Sequence, residues 1–327
     1  MSIRRITQIL IALIVLSVVA IIITLYWASS PNYSEEQYVQ LIEDQFPTST
    51  NNDSIFSIIT YNIGYLSGMT NNKAVESNKS LFDDNLDHVK DQLKTVNPDI
   101  ICLQEIDFYS SRSFHINQQE ELRQLGYNYT FQAVNWDENY LPFPGTNIAY
   151  HYGEIYSGQS ILSKYPISDP ERIVLERVED TPFYRDAFYL DRLAQVCNIS
   201  VNGIEIIVIN VHLEAYDKET RRKQTEYVAG LYNKYKDVKP VLLVGDFNSD
   251  SNYSNATINT LMEIQGIAYV PSDSADMHYT YPSPAPRVRI DYVFYNDAFI
   301  EMESAEVLSS FGQASDHLPV MMTFKLR

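Results

Sequence analysis

Residues 241–250, V-L-L-V-G-D-F-N-S-D, constrain the fold of this chain more than any other stretch. Four consecutive aliphatic residues that stop at Gly245 predict a short strand buried on both faces. Asp246 and Asn248 then follow the carboxyl end of that strand, which is where open α/β sheets bind ligands. Gly, Asp and Asn are also common turn residues, so this motif by itself leaves an ordinary turn open.

The same arrangement of a short apolar run beside polar side chains recurs along the chain. Residues 58–61 precede Asn62, 100–103 precede Gln104 and Glu105, 206–211 precede His212, 288–290 precede Asp291, and Asp316-His317 precede 318–320. A single carboxylate at a strand end is common. The whole set offers ligands for a hard divalent cation and polar groups for a phosphoryl substrate, so we expect these side chains to converge.

Apolar residues spaced by three and four predict helices between the strands. They are Leu86, Val89, Leu93 and Val96, ending before Asn97-Pro98; Thr225, Val228, Leu231, Tyr232 and Tyr235, after Lys218; and Ile258, Leu261 and Met262, closed by Gly266. This alternation indicates an α/β fold. No Pro/Gly-rich linker or repeat divides residues 54–327, so we expect one domain there.

Residues 1–28 predict a membrane anchor. Residues 6–27 are almost continuously apolar, and about 20 helical residues at ~1.5 Å each cross a bilayer core of ~30 Å. Arg4 and Arg5 precede this run, so the positive-inside rule places the N-terminus in the cytoplasm and the domain outside it. A cleavable signal peptide is the alternative, since small residues follow Trp27, but the run exceeds the roughly 7–15 apolar residues of a signal.

Residues 29–53 are polar and rich in Asn, Ser, Thr and Pro, which predicts a stalk between anchor and domain. Within the stalk, residues 34–46 have the pattern of a short helix capped by Ser34. Elsewhere, Cys102 and Cys197 lie in predicted strands without C-x-x-C spacing, so we expect buried thiols. A formal net charge of −18 disfavours a nonspecific grip on nucleic acid, although bound cations can offset that field.

Seven motifs, in order, resemble the endonuclease/exonuclease/phosphatase superfamily across residues 55–324. They are T-Y-N-I, C-L-Q-E-I-D, S-G-Q-S-I-L-S-K-Y-P-I, V-I-N-V-H-L, V-G-D-F-N, R-I-D-Y-V-F and S-D-H-L-P-V. The resemblance implies a two-sheet α/β sandwich flanked by helices, here preceded by one transmembrane helix, with loops on one face forming a divalent-metal phosphoesterase site.

Two departures narrow the resemblance. Gly64 stands where abasic-site endonucleases have Asp, and Asp107 stands where deoxyribonuclease I has Arg. The context of residues 104–107, 134–144 and 157–158 looks more like the bacterial branch akin to the C-terminal domain of the GPI-lipid-remodelling protein Cwh43.

The resemblance assigns the metal to three residues. Glu105 looks like the principal Mg²⁺ ligand, with Asn62 and Asp316 near the metal or its waters. Oxygen ligands of this kind suit Mg²⁺, and we expect Mn²⁺ to substitute for it.

The resemblance also gives roles to the remaining site residues. Asp291 would orient His317, where the alternative is a surface ion pair, and Asp246 would orient or deprotonate the attacking water. Asn248 would hold a phosphate oxygen, and His212 would stabilise charge at phosphorus or assist the leaving oxygen.

Arginines and aromatic residues are further candidates for binding substrate. The candidate phosphate-binding arginines are Arg112, Arg185, Arg192, Arg287 and Arg289, of which Arg192 is favoured by the resemblance, whereas Arg221-Arg222-Lys223 predicts a solvated helix face. A crowded aromatic stretch leaves core packing and a substrate-facing loop open: Tyr127, Tyr129, Phe131, Trp136, Tyr140, Phe143, Tyr150, Tyr152 and Tyr156.

Three functions remain open from the sequence. The favoured one is a membrane-anchored phosphodiesterase that acts by in-line attack of an activated water on a phospholipid or small phosphoester outside the cytoplasm. An extracytoplasmic nuclease on DNA or RNA is the second. An inactive scaffold is the third, and no motif position is vacant to support it. No protein partner is evident.

Overall fold

Two mixed sheets pack face to face in the computed structural model, which describes residues 2–48, 54–272 and 278–327. The helices of four or more residues are α1 (Ile3–Ala28), α2 (Lys79–Val96), α3 (Gln118–Arg123), α4 (Phe183–Asp186), α5 (Lys218–Tyr235) and α6 (Asn259–Met262). The strands are β1 (Val39–Glu43), β2 (Phe56–Asn62), β3 (Ile100–Asp107), β4 (Tyr129–Leu141), β5 (Gly153–Ser163), β6 (Ile167–Val174), β7 (Leu193–Val201), β8 (Ile204–His212), β9 (Val241–Asp246), β10 (Ile267–Val270), β11 (Asp291–Asn296), β12 (Ile300–Val307) and β13 (Val320–Leu326).

The strand order defines the two layers. One sheet has the order β1-β4-β5-β3-β2-β13-β12 and the other has the order β10-β11-β9-β8-β7-β6. The core between them is built from alternate apolar side chains of both sheets, such as Ile58, Ile161, Val208 and Val244, all fully buried. The predicted two-sheet sandwich is therefore confirmed.

Helices cover the outer faces of the sandwich. Leu86, Val89 and Leu93 of α2 pack on the first sheet, and Val228 and Tyr232 of α5 pack on the second. The predicted end of α2 is confirmed, since Asn97 adopts a left-handed cap with φ 46°. The helix predicted after Lys218 is confirmed as α5, which begins at Lys218 itself, and the third predicted helix is one short turn, α6.

The strand pairings bring the polar strand ends together. β8 and β9 are parallel, so His212 lies beside Asp246, and β2 and β3 are parallel, so Asn62 lies beside Gln104. β11 is antiparallel to β9 and pairs Asp291 with Asp246. Asp291 therefore begins its strand, rather than following a strand over residues 288–290 as expected.

Gly245 is required by the close approach of β8 and β9. Its φ is +140°, and a Cβ added there would lie 1.9 Å from the carbonyl oxygen of Val211. The glycine that ends the apolar run therefore lets β9 stay paired with β8 up to Asp246 without a steric clash.

The N-terminal helix α1 is long and apolar enough to cross a membrane, and its most apolar window is not buried in the protein. Its carboxyl end is attached to the domain. The Trp27 ring stacks on Tyr140 with centroids 6.4 Å apart, and the Asn139 N–H donates to the Ser30 carbonyl at 3.0 Å.

The helix predicted over residues 34–46 is wrong. A 3-10 turn over Glu35–Gln37, capped by Ser34, leads into β1, which pairs with the free edge of β4. Backbone pairing with that edge replaces the local hydrogen bonds of a helix. Part of the predicted stalk is thus a strand of the first sheet, while its residues 49–53 lie outside the described residues.

Candidate active site

A cavity of about 960 Å³ lies where the carboxyl ends of β3, β8 and β9 meet the start of β11. Its floor is polar, with carboxylates and both predicted catalytic histidines, and its walls are largely aromatic. The floor contains Glu105, Arg192, His212, Asp246, Asn248, Asp316 and His317, and the walls contain Tyr65, Trp136, Leu141, Phe143, Phe188 and Tyr189. The predicted site residues therefore converge, with Asn62 and Asp291 directly beneath this floor.

Asp291 and His317 form a buried pair. The His317 Nδ1 lies 3.0 Å from Asp291 Oδ2 and 3.2 Å from Oδ1. Burial alone would lower the pKa of His317, but the carboxylates of Asp291, Asp246 and Asp316 raise it well above its ordinary value. The alternative of a surface ion pair is excluded by the burial of both side chains.

Asp246 occupies the centre of the cluster. Its Oδ2 accepts from Asn62 Nδ2 at 3.0 Å and lies 3.6 Å from His212 Nε2 and 3.9 Å from His317 Nε2. Its Oδ1 accepts the Asn248 N–H at 2.8 Å, which fixes the carboxylate. Burial and the adjacent Asp291 raise the pKa of Asp246 to about 7, so it can exchange a proton near neutral pH.

The carboxylates of Glu105 and Asp316 both lie next to the side-chain amide of Asn71, a residue that was not predicted from the sequence. Asn71 Nδ2 donates to Glu105 Oε2 at 2.9 Å and lies 3.5 Å from Asp316 Oδ1, while Asn62 Nδ2 lies 3.4 Å from Glu105 Oε1. Burial and Asp316 raise the pKa of Glu105. Glu105 also has a φ of +51°, and it lies at a register shift between β3 and β5. Such a shift is a β-bulge, and bulges often turn a side chain toward an active site.

His212 is neutral and is bound by Arg192. Arg192 Nη1 lies 2.6 Å from His212 Nε2, and burial followed by Arg192 and His317 lowers the pKa of His212 well below its ordinary value. Arg192 is held in turn by Glu214, whose Oε2 lies 3.5 Å from its Nε and accepts the Tyr189 hydroxyl at 2.7 Å. The cation on this side of the floor is therefore Arg192.

The other arginines differ in their access to the cavity. Arg185 is exposed at its mouth, whereas Arg112 is buried and paired with Asp107 at 2.8 Å. Arg289 is buried and donates to the Pro271 carbonyl at 2.8 Å. Arg287 is exposed and is not among the described residues that line the cavity.

The predicted solvated face of α5 is wrong at one position. Arg221 is buried and donates to the carbonyls of Glu214 and Ala215 at 2.8 and 2.9 Å, because this turn of α5 packs on the loop after β8. Arg222 and Lys223 pair with glutamates at the surface, as expected for a solvated face.

The aromatic stretch serves both purposes that the sequence left open. Tyr127 and Phe131 are core residues, and Trp136 and Phe143 line the cavity. The Asn248 amide, predicted to hold phosphate, donates one N–H to the Leu213 carbonyl at 3.0 Å.

Two residues that contact the site side chains, Asn71 and Glu214, were not predicted from the sequence. Asn71 lies in an irregular loop, and no periodicity marks it. Glu214 could have been found, because Asn210, His212 and Glu214 alternate with apolar residues and therefore share one side of β8 and its extension.

Comparison with known proteins decides the family. The family model described as Endonuclease/Exonuclease/phosphatase family matches residues 59–317, which is most of the chain. The chain belongs to this family. Members of the endonuclease/exonuclease/phosphatase family are hydrolases that act on phosphoester bonds.

Similar proteins include members without an assigned activity and one named phosphatase. The uncharacterized protein YbhP of Escherichia coli strain K12 is 27% identical over 241 residues, which are 72% of this chain and 86% of YbhP. An endonuclease/exonuclease/phosphatase from Beutenbergia cavernae has a TM-score of 0.61 at 19% identity, over 83% of this chain and 72% of its own. The mannosyl-6-phosphatase Bt3783 of Bacteroides thetaiotaomicron has a TM-score of 0.55 at 15% identity, over 83% of this chain and 99% of its own. These two structural likenesses show the fold alone.

The donor set of the family site fits a divalent cation. Glu105 and Asp316 place carboxylates on one amide, and the buried Asn71 Oδ1 has no hydrogen-bond partner among the described residues. Asp246, Asp291 and His317 form a second group, with ligand atoms within 4.8 Å of one another. The group of Glu105, Asp316 and Asn71 suits Mg²⁺ better than the second group, because Mg²⁺ prefers oxygen ligands and His317 is already bound to Asp291.

Proposed function

We propose that this protein is a membrane-anchored, divalent-cation-dependent phosphodiesterase that hydrolyses a phospholipid or small phosphoester outside the cytoplasm. The observation that carries the proposal is the position of Asp246. Its Oδ2 lies between His212, His317 and Asn62 on the floor of an open cavity, beside the buried Asp291–His317 pair. Asp246 is a proton acceptor, His317 is a histidine oriented by its partner, and the oxygen ligands of a cation lie beside them. Phosphoester hydrolysis requires groups of these three kinds.

Charge supports a diester over a monoester. Glu105, Asp246 and Asp316 line the floor of the cavity, and two buried arginines, Arg192 and Arg221, line the same cavity. A diester carries one negative charge where a monoester carries about two near neutral pH, so a diester needs less compensation from Arg192, His317 and a bound cation to offset these carboxylates. The −18 charge of the whole chain opposes long polyanions in the same way.

Each side chain has a task in the proposed hydrolysis. Asp246, whose pKa is raised to about 7, accepts a proton from the attacking water. Arg192 donates hydrogen bonds to the phosphoryl oxygens, where negative charge grows, and neutral His212 positions Arg192. His317, held by Asp291, presents its Nε2 to the same phosphoryl group as a cationic donor.

Glu105, Asp316, Asn62 and Asn71 are the residues that would hold the cation. A bound Mg²⁺ or Mn²⁺ would supply Lewis-acid polarisation of a phosphoryl oxygen.

The anchor supports a location at the membrane, outside the cytoplasm. The 26-residue helix α1 carries Arg4 and Arg5 in its first turn, before its apolar run, which favours a cytoplasmic N-terminus. Fusions to the C-terminus test this: alkaline phosphatase should be active and green fluorescent protein dark. The reverse pattern would contradict the proposed topology.

The experiment on function uses the full chain in lipid vesicles with Mg²⁺. We expect hydrolysis of bis-p-nitrophenyl phosphate to exceed that of p-nitrophenyl phosphate, and EDTA to abolish both. Plasmid DNA and RNA serve as the comparison. Faster cleavage of nucleic acid than of any lipid or small diester would contradict the proposed substrate class and would show that the protein is a nuclease.

A further inference from the structure

Exposed apolar side chains border the mouth of the cavity on two sides. One side is the β4–β5 loop, in which Phe143 is 38% and Ile148 is 76% exposed, and the other is α4, in which Phe183 is 79% and Tyr184 is 53% exposed. Phe143 and Tyr184 also line the cavity. We name these four residues the apolar rim. Water contact with these apolar side chains is unfavourable, so their exposure on two sides of one cavity mouth indicates a binding surface.

The loop that carries half of the rim also lacks charge. Residues 139–153 contain no Asp, Glu, Lys or Arg, although 20% of the whole chain is charged. On the other side, α4 ends in Arg185, which is exposed and lines the cavity mouth, and in Asp186, which pairs with Arg177. An uncharged aromatic loop next to an arginine suits the interface of a bilayer, where rings lie among headgroups and a guanidinium meets phosphate.

The anchor helix meets the domain at this same rim. Trp27, in the last turn of α1, stacks on Tyr140, and the Tyr140 hydroxyl lies 2.9 Å from His151 Nδ1. The neighbouring Tyr152 packs edge-to-face on Phe143, with centroids 5.5 Å apart. A continuous set of contacts therefore joins the end of the membrane span to the rim.

The junction is held by hydrogen bonds and lies close to the cavity. Asp137 accepts the N–H groups of Asn32 and Tyr33 at 2.9 Å each and the Tyr38 hydroxyl at 3.1 Å, which fixes the chain that leaves α1. Trp136 lines the cavity and lies four residues before Tyr140 on β4, which is about 13 Å along a strand. A membrane span attached at this distance would keep the cavity mouth near the leaflet from which α1 emerges.

We propose that the apolar rim inserts into this leaflet and that the substrate passes laterally from the bilayer into the cavity as a membrane-embedded phosphodiester lipid. The proposal rests on the proposed function for the hydrolysis step, but the binding surface is independent of it. The aromatic cavity walls would take up the glycerol and upper acyl region, while Arg185 meets the phosphate as it enters.

Insertion is tested with single cysteines in the full chain. Both native cysteines are buried, so a polarity-sensitive fluorophore labels only the introduced thiol in Ile148→Cys or Phe183→Cys. Val238→Cys is the matched control, since Val238 is 68% exposed just before β9, at the sheet edge opposite Asp246. In phosphatidylcholine vesicles, brominated acyl chains should quench about half or more of the emission at both rim positions and little at Val238.

Two outcomes overturn the rim proposal. Rim labels as insensitive to brominated lipid as the Val238 label would show that the rim stays in water. Blue-shifted emission that brominated lipid does not quench would show that protein, such as a second copy of this chain, covers the rim.

A kinetic comparison tests lateral access. The Ile148→Ser/Phe183→Ser variant should lose about tenfold or more in kcat/KM on dioleoyl-phosphatidyl-p-nitrophenol in vesicles, and keep its rate on water-soluble bis-p-nitrophenyl phosphate. Ile204→Ser, an exposed apolar residue on the opposite edge, should change neither rate. Equal losses on both substrates would contradict lateral access. Absence of any hydrolysis by the wild type would contradict the proposed function, while the fluorescence result would still decide the rim.

Discussion

His317 Nδ1 lies 3.0 Å from Oδ2 of Asp291, which is buried beneath the cavity floor, while His317 is buried except where it lines the cavity. The two residues come from the start of β11 and from the loop before β13, which belong to different sheets. The pair therefore connects the two halves of the sandwich at the site, and it raises the pKa of His317 against the effect of burial.

The first prediction concerns this pair. His317→Ala and Asp291→Ala should each lower kcat on the order of 10²–10⁴-fold, and the double variant should lose little more, because both changes disable one unit. The measurement is a double-mutant cycle on bis-p-nitrophenyl phosphate. His88→Ala, an exposed histidine on α2, is the control and should keep full activity. Additive losses would show that the two residues act separately.

The second prediction concerns the cation. Glu105→Gln should weaken Mn²⁺ binding and lower activity by at least about 10²-fold, because it removes a carboxylate that we place against the metal. Titration of Mn²⁺ followed by electron paramagnetic resonance measures binding apart from turnover. Glu219→Gln, on the exposed face of α5, should bind Mn²⁺ as the wild type does. Unchanged binding in Glu105→Gln would contradict the ligand assignment.

The third prediction concerns the buried pair beside the cavity. Asp107→Asn should lower the free energy of unfolding by about 3–5 kcal/mol, because it leaves the Arg112 guanidinium buried without its charge partner. Thermal unfolding in detergent, followed by near-UV circular dichroism, provides the measurement. Asp83→Asn breaks an exposed pair with Lys79 and should cost about 0–1 kcal/mol. Equal losses for the two variants would contradict this account of Arg112.

The fourth prediction concerns pH. Burial, and then Asp137, raises the pKa of Glu138 from 4.5 to about 8. A carboxyl with a raised pKa favours folding while it is protonated, so its contribution is complete below about pH 4.5 and is lost as pH rises through 8. The loss is worth a few kcal/mol at about 1.4 kcal/mol per pKa unit.

Glu138→Gln should therefore unfold at a higher temperature than the wild type at pH 9 and at a similar temperature at pH 5. Glu43→Gln, on the exposed part of β1, should follow the wild-type profile. Parallel profiles for Glu138→Gln and the wild type would show that Glu138 ionises normally.

The sequence predicted those parts of the site that local pattern encodes. Strand ends with polar residues at fixed offsets placed Asn62, His212 and Asp246 at one edge, because strand direction and alternation follow from the apolar runs. The left-handed backbone of Glu105 was not predictable, since it arises from a bulge that depends on the pairing with β5.

The failures share a physical cause, which is that contacts distant in sequence overrode local preference. Residues 39–43 had a helical pattern, but they pair as a strand with the free edge of β4. Arg221 had the pattern of a surface residue, but it donates hydrogen bonds to two carbonyls of the loop after β8. The division into anchor, stalk and domain remains a prediction, although β1 joins part of the stalk to the sheet.

The central claim, that Asp246 accepts the proton of the attacking water in a cation-dependent phosphodiesterase, is tested most directly by one rate comparison. The full chain in vesicles with Mg²⁺ should hydrolyse bis-p-nitrophenyl phosphate, and Asp246→Asn, which keeps the shape and loses the basic oxygen, should be slower on the order of 10²–10⁴-fold. Hydrolysis by Asp246→Asn at the wild-type rate, with Mg²⁺ present and the fold intact by circular dichroism, would contradict the account.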